Sequence, residues 1–68
     1  MHETTIKQLK KGEFFTLRNY GDNPPEARVY VRGDYEKSEK KYSCSRFSDF
    51  CAESFFKGSR TVYAGFTF

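Results

Sequence analysis

Ala27-Arg28-Val29-Tyr30-Val31-Arg32-Gly33-Asp34-Tyr35 is where the fold announces itself. Valines alternate with arginines and a tyrosine, the period of a strand with one face on a core. The sequence predicts Val29 and Val31 inward and Arg28, Tyr30 and Arg32 outward. Gly33 interrupts the pattern and marks a bulge or bend. The polar run Glu36-Lys37-Ser38-Glu39-Lys40-Lys41 follows, and Lys41-Tyr42-Ser43-Cys44-Ser45-Arg46-Phe47 reads as a returning strand. Setting Tyr35 opposite Tyr42 closes a four-residue loop with Glu36 opposite Lys41. This register sets Tyr30 opposite Phe47 and adds Ser43, Ser45 and Phe47 to the outward face.

Shorter signals flank this hairpin. Thr4 and Thr5 before Ile6 and Leu9, with Gly12 beyond, predict one short helical turn. Residues 13–18 alternate as a strand, with Phe15 and Leu17 on one face. Residues 19–26 hold Gly21 and Pro24-Pro25 and read as a loop. Residues 50–56 are expected to include a second helical turn, 57–59 a turn, and 61–68 a last strand with Val62, Ala64, Phe66 and Phe68 on one face. The expected fold is mainly β and forms a single domain over residues 1–68. It is a small, strongly bent antiparallel sheet or SH3-like, partly open barrel of four to five strands, with one or two helical turns.

Composition sets the terms of packing. The 68 residues include 8 Phe and 5 Tyr but no Trp. Against these stand six branched aliphatics: Ile6, Leu9, Leu17, Val29, Val31 and Val62. A chain this short buries only about 60% of its unfolded surface, so the core is expected to be mostly aromatic. Aromatic richness also argues against a disordered chain. No apolar run approaches the roughly 20 residues of a membrane span. The opening residues show no basic region followed by an apolar stretch. The expected setting is the cytoplasm, with Cys44 and Cys51 reduced.

The chemistry-bearing residues exclude more than they assert. Two cysteines and one histidine, His2, fall short of the four ligands of a structural zinc site. No nucleophile elbow, zinc-protease helix or phosphate loop is present. The expected protein is therefore not an enzyme and needs no cofactor, metal or small-molecule substrate.

Binding remains, in two forms. The 12 basic residues exceed the 9 acidic ones, and an Arg-Tyr-Arg strand face can stack bases and neutralise phosphates. Arg28, Tyr30, Arg32 and Phe47 are the candidate residues for nucleic acid. The alternative is a protein partner or self-association through Phe50, Phe55 and Phe56, or through an edge strand.

The ordered combination Leu9-Lys10-Lys11-Gly12-Glu13-Phe14-Phe15, Val29-Tyr30-Val31-Arg32-Gly33-Asp34-Tyr35, Lys41-Tyr42-Ser43-Cys44 and Gly65-Phe66-Thr67-Phe68 resembles small uncharacterised β-rich proteins of bacterial mobile elements and phages. The resemblance implies a compact β-rich domain of an accessory gene and brings no activity or site residue.

Overall fold

A computed structural model describes residues 1–49 and 51–66. The chain runs β1 (His2–Thr5), a 3-10 turn (Ile6–Gln8), β2 (Phe14–Phe15), a second 3-10 turn (Glu26–Arg28), β3 (Tyr30–Glu36), β4 (Lys41–Arg46), β5 (Glu53–Phe56) and β6 (Thr61–Ala64). Strands β2-β3-β4-β5 form an antiparallel meander, and β1 pairs with β6. The fold is mainly β, as expected, and its two sheets do not close into a barrel.

One short corner joins the sheets. Phe14 and Phe15 pair with Val31 and Tyr30, and the next residue, Thr16, exchanges both backbone hydrogen bonds with Tyr63 of β6 (2.9 and 3.0 Å). The other seam closes where the Ile6 and Lys7 amides donate to the Arg60 and Gly58 carbonyls (3.3 and 3.1 Å).

The short helical turn expected after Thr4 and Thr5 forms as the 3-10 turn Ile6–Gln8, whereas residues 53–56, expected to be part of a second helical turn, are extended. Thr4 and Thr5 are β-branched and suit a strand; they pair with Val62 and Thr61, and Thr5 also stands at the N-cap position of the turn, without a side-chain capping hydrogen bond. Only the 3-10 turn follows, and it carries Ile6 and Leu9 into the core as expected. Residues 53–56 form β5 because β4 offers a free edge: Ser43 and Tyr42 pair with Phe55 and Phe56. Burial alternates along β5, a period of two that a helix does not give.

The hairpin forms with Tyr35 opposite Tyr42 and Glu36 opposite Lys41. Lys40 closes its turn with φ 55°. The register then shifts between Arg32 and Tyr35, so that Tyr30 faces Arg46 instead of Phe47. β3 sets one extra residue against β4 at Gly33-Asp34, and a bulge of this kind turns over the strand faces beyond it. Arg32 accordingly lies opposite Cys44, and Tyr30 shares a face with Phe15. That face is the core side, which corrects the expected outward placement of Tyr30 and Arg32. Val31 shares the opposite face with Phe14. Val29, two residues earlier, is fully buried but stands apart from the main cluster.

The interior corrects a second expectation. The main buried cluster is Ile6, Leu9, Phe15, Cys44, Val62 and Ala64, with a single ring fully enclosed. Tyr30, Tyr42 and Phe56 are half-buried and pack around it. Phe15 stacks on Tyr30 at 5.7 Å, and Phe56 meets both rings edge-on at 6.3 and 5.6 Å. A domain this small has space at its centre for little besides aliphatics, so the rings form a collar whose outer parts stay in contact with water. Phe66 is half-buried; Phe68 lies outside the described residues.

Candidate functional site

Beside the collar lies a cleft of about 410 Å³ lined by Leu17, Arg18, Tyr20, Arg28, Tyr30 and Arg60. Each wall is fixed by local chemistry. Thr16, almost fully buried, donates its hydroxyl to the Arg18 carbonyl at 2.7 Å, which sets the direction in which the chain leaves β2. The Asn19 side-chain oxygen then accepts the Gly21 amide at 3.0 Å. This Asx turn presents Tyr20. Pro24-Pro25 leads into the second 3-10 turn, where the Arg28 amide donates to the Pro25 carbonyl at 2.9 Å. Arg28 stands on that turn, one residue before the buried Val29 and two before Tyr30. Arg60 ends the β5–β6 turn, its amide bonded to the Lys57 carbonyl at 3.0 Å.

The cleft is positive. Three arginines line it and no carboxylate does. Among the described residues the ion pairs are the N-terminal amine with Asp22 (2.8 Å) and Lys11 with Asp34 (2.9 Å), and none of them involves Arg18, Arg28 or Arg60. A fourth cation, Arg46, sits 6.0 Å from the Tyr30 ring centre. Guanidinium groups around one concavity raise the local concentration of anions and offer planar donors to phosphate.

A second cleft, of about 380 Å³, adjoins the first. It is lined by Lys41, Phe55, Phe56, Lys57, Ser59 and Arg60. Arg60 belongs to both and stands 5.5 Å over the Phe56 ring. Tyr30 of the first cleft touches Phe56 of the second.

The four candidate residues for nucleic acid therefore separate. Arg28 and Tyr30 line the first cleft. The Arg32 guanidinium carbon stands 4.3 Å from the Tyr42 ring centre, and its Nε is buried with no hydrogen-bond partner among the described residues. Phe47 is on the far side of the sheet, edge-on to Phe14 at 5.3 Å. The alternative set divides too: Phe55 is 42% exposed, Phe56 packs on the core, and Phe50 lies outside the described residues. Arg18, Tyr20 and Arg60 escape sequence reasoning because the Thr16–Tyr63 bridge that gathers them leaves no local signal.

Reactive groups are sparse. Among the described residues no three His, Cys, Asp or Glu side chains gather as metal ligands, and no helix is long and apolar enough to cross a membrane. Both thiols are free, Cys51 exposed and Cys44 buried. Burial pushes the Cys44 thiol up from its ordinary value, against smaller opposing effects of a Gly33 backbone hydrogen bond and the Arg32 charge. Cys44 is thus a packing residue rather than a nucleophile.

Comparison with known proteins brings no match: no family model fits the chain, and no curated protein or solved structure resembles it significantly.

Proposed function

We propose that this protein is a non-enzymatic binding module whose ligand is nucleic acid, held at the cleft of Arg18, Arg28 and Arg60 beside Tyr20 and Tyr30. The observation that carries the reading is three arginines, without an ion pair among the described residues, around a concavity that two tyrosines also line. Phosphate needs the first feature and a base the second. A cytoplasmic setting belongs to the same proposal and fits two free thiols.

Anisotropy titration of labelled oligonucleotides across a salt series tests it. Three phosphate contacts give a log–log salt slope of about −2 for a single strand, and Arg28→Ala removes about 0.7 of it. Absence of binding at low salt, or affinity indifferent to salt, refutes the proposal.

Protein contact is the second reading. It is favoured by the exposure of Phe14 (38%) and Phe55 (42%) on the face of the sheet away from the main core. Concentration-dependent sedimentation of the protein alone, abolished by Phe14→Ser, supports this reading, and a strict monomer that binds oligonucleotide rejects self-association.

A further inference from the structure

We infer that the nucleic acid recognised is a single strand laid across both clefts and round the β5 edge, its backbone passing over Arg60 and its bases stacking on Tyr20 at one end and, on the opposite face of the sheet, on Phe55 at the other. This rests on the proposed function and deepens it by naming the form of the ligand and its path.

Three observations converge. First, the clefts are continuous in chemistry. They share Arg60, their inner rings Tyr30 and Phe56 stand 5.6 Å apart, and cations flank both: Arg18 and Arg28 on one side, Lys41 and Lys57 on the other. Second, each cleft counts a part-exposed ring among its lining residues. Tyr20 is 37% exposed and Phe55 42%. Exposed rings inside a cationic groove are the stacking platforms of single-strand binders, which tolerate any base because every base has a π-face. A duplex keeps those faces stacked inside and offers these rings nothing. Third, the element best shaped for a duplex is poorly charged for it. The β3–β4 hairpin is a two-stranded ribbon of the kind that enters a major groove, but Glu36 and Glu39 stand in and beside its turn among the lysines.

A footprint of about four nucleotides, the lower end of the range for single-strand-binding β domains, covers both concavities and the β5 edge. The phosphates lie along the arginine and lysine side chains, and the base at each end covers a ring. Tyr20 and Phe55 are surface residues, so changing them to leucine removes the π-face while keeping apolar bulk and the fold.

The experiment uses the full chain with labelled oligothymidylate of about 12 nucleotides and a blunt hairpin duplex of equal charge. The strand is expected to bind at least about tenfold more tightly than the duplex. Tyr20→Leu and Phe55→Leu are each expected to weaken strand binding by about 5- to 100-fold and to leave duplex binding and the urea midpoint unchanged. Lys57→Ala lowers the salt slope by about 0.7. Equal or tighter duplex binding overturns the inference and leaves the proposed function standing. So does a Phe55→Leu variant that binds like the parent while Arg28→Ala does not, since the second cleft is then off the path. Failure to bind either probe at low salt removes both.

Discussion

Replacing Gly33 with alanine tests the bulge that decides which side chains reach the cleft. A Cβ at this position overlaps the Ser43 carbonyl oxygen and comes within 3.3 Å of its carbonyl carbon and 3.8 Å of the Ser43 Cβ. The two nearest atoms are backbone and cannot rotate aside, so β3 and β4 must part by about 1 Å to restore a contact near 3.5 Å. The backbone at Gly33 is not left-handed, so alanine brings no torsional penalty there. Two effects then oppose. Alanine stiffens the unfolded chain, which stabilises by about 0.4–1 kcal/mol. Overlap in a packed interior costs about 1–3 kcal/mol, and a clash with backbone belongs at the top of that range. Overlap wins, leaving a net loss of about 2 kcal/mol. For a domain of this size that lowers Tm by roughly 8–16 °C. Urea unfolding followed by tyrosine emission measures it, with the midpoint falling and the slope m unchanged. A Gly33→Ala protein as stable as the parent refutes the bulge geometry, and with it the assignment of Tyr30 and Arg32 to the core side.

Other outcomes follow from the same geometry. Phe15→Ala empties the centre of the collar and costs about 3–5 kcal/mol, comparable to the whole stability of about 3–10 kcal/mol for a chain this long; calorimetry is expected to show an unfolded or barely folded protein, and a sharp transition near the parental Tm contradicts the packing. A thiol reagent is expected to modify Cys51 at once and Cys44 only as the fold opens; two equally fast thiols contradict the buried position. The raised Cys44 pKa gives stability a pH dependence of definite sign: it is full below the ordinary thiol value of 9.0 and falls as pH rises beyond it, because the unfolded chain loses the proton first. Subtracting the profile of Cys44→Ala isolates this fall, and identical profiles refute it. Thr16→Val deletes the hydroxyl that holds the Arg18 carbonyl, with an expected loss of about 1–3 kcal/mol in urea unfolding and weaker oligonucleotide binding; unchanged affinity means that Arg18 is not positioned by that bond.

What a single sequence discloses here depends on distance along the chain. The β3–β4 turn is legible because Glu36 and Lys41 need only a four-residue loop between them, and the rings of the next pair, Tyr35 and Tyr42, do meet at 5.0 Å. The bulge lies just two residues further back and is harder to read. Gly33 signals it, but whether the chain takes up an extra residue there is decided by packing across the sheet. Phe15 packing with Tyr30 and Arg32 lying over Tyr42 come only with the shifted register. Short segments are read only in part: Thr5 both ends β1 and stands at the N-cap position of the 3-10 turn, and residues 53–56 are too few for periodicity to separate helix from strand. Arg28 and Tyr30 were within reach as part of the site because they are near neighbours in sequence. Arg18 and Arg60 become neighbours only after Thr16 finds Tyr63, a long-range pairing that composition and spacing do not encode.

The pairing of β1 with β6 sets His2 beside Ala64, the two ends of the described strand order. Closing so large a loop is slow relative to local folding, because its entropic cost falls before the contacts that reward it. During synthesis, therefore, the hairpin can form early, while the arginine-lined hollow has to await the emergence of β6. A growing chain carries its cations dispersed, and a premature stop before residue 61 yields a peptide without the assembled pocket instead of a weakened version of it.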